Sequence, residues 1–156
     1  MNLPDLVQLI KDNIKLDENS NIKHLYTILN DYNGTDWKNY REIDETKYNK
    51  IFIDGNDEFD VYIITWNNYQ QSKIHDHPNN GCIYKILEGH LVEEDYDKKL
   101  RLIGFKSLFE NSIGYIDNNT HLHKMVNYKN MVAVSLHIYS PPNHNTIYYD
   151  EGSYSP

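Results

Sequence analysis

From about Lys50 onward the chain breaks into many short strand-forming stretches, divided at close intervals by turn residues. Phe59, Val61 and Ile63 alternate with Asp60, Tyr62 and Ile64, as in a strand with one buried face. Further strands are expected at residues 73–77, 82–87, 90–96, 100–109, 114–116, 121–126 and 131–139. Residues 78–81, 88–89, 97–99, 117–119 and 127–130 carry the glycine, proline, asparagine and aspartate that make turns. With no helical pattern between the strands, this cadence predicts an antiparallel sandwich or barrel. Pro141-Pro142 ends the last long strand, because proline has no N–H to give to the ladder.

The first forty residues read differently. Leu6, Leu9 and Ile10 suit a short amphipathic helix. In a second, Ser20 caps the start, and Ile22, Leu25, Ile28 and Leu29 line one face. Asp31 to Gly34 reads as a turn. A chain of 156 residues fits one domain across 1–156, with a helical segment over about 1–45, a barrel over about 46–142 and an extension over 143–156. The net charge of −8, with no basic block, argues against nucleic acid and anionic membranes as partners. Nothing at the N-terminus resembles a signal peptide and no apolar run could span a bilayer, so a cytoplasmic location is expected. A monomer is expected. The single cysteine, Cys82, excludes an internal disulfide.

The chemistry concentrates in a few segments. On a strand His75 and His77 project to the same side and can share a metal, while Asp76 points away. Cys82 and Gly89 follow at short intervals. His121 and His123 share a face, so spacing does not choose between them as a third ligand. Asn127 comes four positions after His123. In Ser135-Leu136-His137-Ile138-Tyr139-Ser140-Pro141-Pro142 the hydroxyl, imidazole and phenol alternate, as in a hydrogen-bond relay on one strand face.

His-x-His, then Cys82, then Gly89, and later His-x-x-x-Asn resemble the two signature segments of the cupin superfamily. Cys82 in place of the usual glutamate, with Ser-Leu-His-Ile-Tyr-Ser-Pro-Pro, resembles the cysteine dioxygenases, and among them the animal type. The resemblance runs from about Tyr48 to about Pro142. It implies a mainly β cupin barrel (a double-stranded β-helix or jelly roll) with the N-terminal helices packed outside. It also implies one Fe(II) per chain on His75, His77 and His123, the register of Asn127 favouring His123. Tyr139 would lie beside the iron and form a thioether with Cys82, a protein-derived Cys-Tyr cofactor. His137 would bond the Tyr139 hydroxyl, with Ser135 supporting His137 and Trp66 packed near. The activity implied is oxidation of a small thiol, L-cysteine, by O2 to the sulfinate. Tyr48-Asn49-Lys50 aligns with a Tyr-x-Arg segment whose arginine binds the substrate carboxylate, given a one-residue gap between Asp54 and Gly55. Lysine there offers a point charge where arginine offers a planar fork. That substitution keeps a second small thiol acid open, 3-mercaptopropionate for example. A non-catalytic metal-binding cupin is the reading of a different class.

Overall fold

The computed structural model describes residues 1–150; residues 151–156, the end of the C-terminal extension, lie outside them. The described strands are β1 (Asn49–Gly55), β2 (Asp60–Trp66), β3 (Ile74–His75), β4 (Gly81–Glu88), β5 (Leu91–Tyr96), β6 (Leu102–Leu108), β7 (Ile113–Ile116), β8 (Leu122–Val126), β9 (Ala133–Ser140) and β10 (Tyr148–Tyr149). They form two five-stranded sheets, in the orders β1-β2-β9-β4-β7 and β10-β3-β8-β5-β6. Every pairing is antiparallel.

The central strands of the first sheet, β2, β9 and β4, are buried on both faces. Val61, Ile63, Ile83, Val134, Leu136 and Ile138 pack into a cluster with helix residues Leu3, Leu6, Ile10, Leu25 and Leu29. Their strand neighbours Ile64, Trp66, Cys82, Tyr84, Ile86 and Ala133 belong to a second cluster with Leu91, Leu108 and Met125 of the other sheet. Strand β2 was expected to have one buried face. The N-terminal helices cover the other, so Val61 and Ile63 are as buried as Ile64 and Trp66.

Helix α1 (Leu3–Asn13) begins on a capping box: Asn2 accepts from the Asp5 amide while Asp5 accepts from the Asn2 amide, with Pro4 in the first turn. Its buried stripe is Leu3, Leu6, Val7 and Ile10. Leu9, expected on that stripe, falls off its helical spacing and is 37% exposed. Ser20 does not start a helix. It ends α2 (Leu16–Asn19) in the left-handed region, at φ 56°, where a helix closes. The expected second helix is split into a 3-10 turn, Lys23–Leu25, and α3 (Tyr26–Asp31). Its predicted anchors Ile22, Leu25 and Leu29 are nonetheless buried.

Lys85 ties the helical layer to the barrel. It is 3% exposed, and its ammonium donates to the carbonyls of Leu29, Asn30 and Tyr32 at 3.1, 3.0 and 2.6 Å. Those carbonyls lie at the C-terminal end of α3, where the helix leaves acceptors unpaired and its dipole favours a cation. Gly89 turns β4 into β5 at φ 76°, and a β-carbon there would stand 2.5 Å from the Val132 carbonyl oxygen. Backbone conformation and this close approach together favour glycine at the turn.

Two strands were not anticipated. Strand β1 lies at a sheet edge with alternating burial and a register shift between Phe52 and Asp54. Strand β10 brings the C-terminal extension back to pair with β3, Tyr148 opposite His75. Among the described residues no helix is long and apolar enough to cross a membrane.

Candidate metal centre and active site

The cavity between the sheets is floored by histidines. His75 on β3 pairs directly across from His123 on β8, and His77 follows on the same side of the extended chain. The ring centroids are 4.7 Å apart for His75 and His77, 4.8 Å for His75 and His123, and 4.3 Å for His77 and His123. One ring nitrogen from each falls within 4.8 Å of the other two.

The neighbours of these rings decide which nitrogens are free. His75 Nδ1 is 2.7 Å from the Lys73 carbonyl oxygen, which only accepts, so Nδ1 carries the hydrogen and Nε2 keeps its lone pair. His123 Nδ1 is 2.7 Å from Glu93 Oε1 and donates in the same way. His77 Nδ1 is buried without a hydrogen-bond partner. Burial, reinforced by the facing His123, lowers His75 to a pKa of about 3. Burial also holds His77 well below the usual imidazole range. Converging imidazoles with an orphaned buried nitrogen, His75 and His77 kept neutral by burial, suit a borderline divalent metal.

Glu93 of β5 was not singled out from the sequence. It is fully buried, accepts from His123 and Tyr84, and pairs with Lys106 at 2.9 Å. Burial alone would raise its pKa, but the bonds from His123, Tyr84 and Lys106 outweigh that and keep the carboxylate ionised. Such a carboxylate fixes the tautomer and the angle of the ring it holds. Its sequence signal was a charged residue between Leu91 and Asp95 on the inward-facing side of an alternating strand. Glu93, Asp95 and His123 also lie close enough to hold an ion. Both carboxylates, however, are already paired, Asp95 with His121 at 2.9 Å. That contact holds His121 at Asp95, while His123 is the one that lies with His75 and His77.

The wall above the histidines is β9 with its neighbours β2 and β4. Trp66 Nε1 donates to Ser135 Oγ at 2.9 Å, and Ser135 Oγ lies 2.7 Å from His137 Nε2. An indole N–H only donates, which leaves the serine hydroxyl hydrogen for His137 Nε2 and places the imidazole hydrogen on Nδ1. Nδ1 faces the Tyr139 hydroxyl at 3.5 Å and Cys82 Sγ at 3.8 Å. Burial first, then Lys50, keeps His137 neutral by holding its pKa well below the usual range. Cys82 and Tyr139 are direct partners across the β4–β9 ladder. Burial pushes both the thiol and the phenol upward, so both keep their hydrogens.

Lys50 is exposed as a residue, yet its ammonium sits 4.4 Å above the rings of both Tyr62 and Tyr139. Tyr48 stacks on Trp66 with centroids 4.7 Å apart. All of the expected site residues except Ser135 and Cys82 line one cavity of about 30 Å³, and those two stand immediately behind its wall. Room for two or three water-sized groups limits this space to a small ligand. Thr146 and Tyr148, from the C-terminal extension, complete the wall and were not foreseen. Asn127 is structural here: its amide donates to the carbonyls of Trp66, Asn67 and Met131. Asp76 also borders the cavity but is not grouped with the trio; its carboxylate accepts from the Ile147 amide at 2.8 Å.

The two antiparallel sheets define a cupin. Its fold is shared with a conserved double-stranded β-helix protein from Klebsiella pneumoniae, at TM-score 0.63 and 11% identity over 77% of this chain and 99% of that one. A Thermus thermophilus protein matches at TM-score 0.60 and 18% identity over 70% of this chain and 98% of that one. The family model for cysteine dioxygenase type I matches residues 2–152. Human cysteine dioxygenase type 1 is 35% identical over 150 residues, 90% of this chain and 74% of the human one. The Danio rerio protein of that name is 32% identical over 154 residues, 90% of this chain and 75% of its own. The chain belongs to the cysteine dioxygenase type I family and is an enzyme of that family.

Proposed function

We propose that this enzyme oxidises L-cysteine with O2 to cysteine sulfinate, using one ferrous ion held by His75, His77 and His123. The observation that carries the reading is the convergence of three imidazoles beside Tyr139, Cys82 and Lys50 at one small cavity. Ferrous iron supplies the redox chemistry by which O2 reacts with a thiolate, and both oxygen atoms end on the sulfur. The protein's own groups do the rest. Lys50 offers the positive charge for the substrate carboxylate, with the Tyr48 hydroxyl alongside. Tyr139 receives a hydrogen bond from His137, so its own hydroxyl hydrogen is left to point at the reacting groups. Ser135 and Trp66 keep His137 in the tautomer this needs. The cavity's size excludes bulk water and large thiols. The test is direct: protein loaded with Fe(II) should consume O2 with cysteine and form the sulfinate. Absence of O2 uptake with any small thiol would sink the reading.

Cys82 and Tyr139 are proposed to join through a thioether. A bond forms between Cys82 Sγ and a phenol ring carbon, and the two hydrogens lost are taken by O2. The mass of the intact protein after aerobic turnover should fall by those two hydrogens in the wild type and stay constant in Cys82→Ser. An unchanged wild-type mass counts against the bond.

Lys50→Ala should raise the KM for cysteine about 10- to 100-fold, the loss of one charged hydrogen bond worth roughly 1.5–3 kcal/mol. Because the contact is made to a non-reacting group, kcat should fall far less. Equal KM in the variant and the wild type would remove Lys50 from the carboxylate site. Comparing rates on cysteine and 3-mercaptopropionate decides whether the substrate's amino group matters.

A further inference from the structure

The C-terminal segment is strung across the mouth of the cavity. The Asn143 amide donates to Asp60 Oδ2 at 2.8 Å, and His144 Nε2 and the Ile147 amide reach Asp76 Oδ1 at 3.0 and 2.8 Å. The Asp76 amide answers to the Ile147 carbonyl at 3.2 Å, and Lys73 pairs with Asp150 at 3.0 Å. These anchors place the Tyr148 ring 6.0 Å from that of His75, beside Tyr48 at the cavity wall.

Beyond this pair of phenols lies a second space, an open groove of about 310 Å³ lined by Tyr48, Gln71, Lys73 and Tyr148. Tyr48 and Tyr148 thus line both the inner cavity and the groove. Tyr48 is braced by its stack on Trp66. Tyr148 is 53% exposed, and its side chain stands as a partition carried on the strap.

We propose that Tyr148 is a specificity-determining residue: it separates the inner cavity from the groove and so restricts the enzyme to single small thiol acids, excluding cysteine extended by a further residue. This rests on the thiol-oxidising reading above. The geometry makes a clear forecast. Shortening Tyr148 joins about 30 Å³ of enclosed space to about 310 Å³ of open groove, enough for a dipeptide, while Lys50, Tyr139 and the three histidines stay in place.

The test uses Tyr148→Ala and Tyr148→Val, the second keeping the strand preference of the position should alanine weaken β10. Tyr148→Phe keeps the wall. In metal-free protein, acrylamide quenching of tryptophan fluorescence reports access to Trp66 at the cavity wall, with Trp37 in the helical layer as a constant background. Quenching should rise in the alanine and valine variants and stay near wild type with phenylalanine. In Fe(II)-loaded protein, kcat/KM for cysteinylglycine and glycylcysteine relative to cysteine should rise about tenfold or more for at least one dipeptide, the scale on which pocket walls discriminate. Folded alanine and valine variants with unchanged dipeptide ratios would overturn the proposal. Raised quenching with no thiol oxidised by any form, wild type included, would leave the partition standing and overturn the catalytic reading beneath it.

Discussion

Alanine at His123 is expected to reduce bound metal from about one equivalent per chain to nearly none and to abolish O2 uptake with it, since three protein nitrogens are the least that hold such an ion in an open site. Glu93→Gln should show the graded version of that loss. The amide keeps the shape of the side chain, but its oxygen carries no charge, and its NH2 group faces Tyr84, Lys106 or His123, which all donate to this position. Metal affinity, measured by chelator competition, should fall about 10- to 100-fold, as when a carboxylate behind a metal-bound histidine is lost. Glu93→Ala should also lower stability, by about 1–3 kcal/mol for each buried donor it strands, because Tyr84 and His123 lose their acceptor. Full metal affinity in Glu93→Gln would show that β8 alone positions His123.

The metal-free protein is expected to unfold in mild acid. His75, His77 and His137 are neutral in the fold because burial opposes their charge. In the unfolded chain each would titrate near its ordinary value of about 6.5. Below that pH the unfolded state binds protons that the fold cannot, and stability drops by about 1.4 kcal/mol per pH unit for each such group. Three groups together give a slope on the order of 4 kcal/mol per pH unit, against a typical total of about 5–15. The stabilisation is complete above about pH 6.5 and is lost as pH falls toward the folded value, about 3 for His75. Glu93 acts in a lower window, its contribution complete above the ordinary carboxylate value and fading as pH drops toward 2. Denaturant melts of metal-free protein from pH 7.5 to 4.5 measure the slope. A flat profile would mean that the imidazoles take up protons in place.

Much of this was legible in the chain because local rules and global demands agree there. The alternation on β9 is a period-two pattern that survives in the fold, so the face of Ser135, His137 and Tyr139 could be read directly. The spacing of His75 and His77 works for the same reason, although only the first of them lies in a paired strand. Ser20 shows the limit: a serine before an apolar stripe reads as a helix start, and backbone geometry made it a helix end. His121 and His123 are equivalent by period, and partners distant in the chain separate them: His75 and Glu93 for His123, Asp95 for His121. Glu93, Tyr148 and the strap could not be read from spacing at all. They depend on pairings between segments distant in the chain, β5 with β8 and β10 with β3. Lys85 is a third such case: nothing in its own strand announces that a helix 53 to 56 residues away needs its charge.

One consequence follows from the tryptophan behind Ser135. An indole has no lone pair in its ring plane, so the row of hydrogen bonds that ends on it has a single sense. Trp66 gives to Ser135, Ser135 to His137, and His137 to the phenol; the row cannot run backwards. It therefore behaves as a blind alley for protons. A proton lost or gained by Tyr139 during turnover has no exit along this row and must leave by the pockets that the phenol itself lines, one with the histidines and one with Tyr62 and Asp60. Proton traffic is thereby confined to the cavity side of β9, the side on which a substrate would bind, and whatever fills that side governs both.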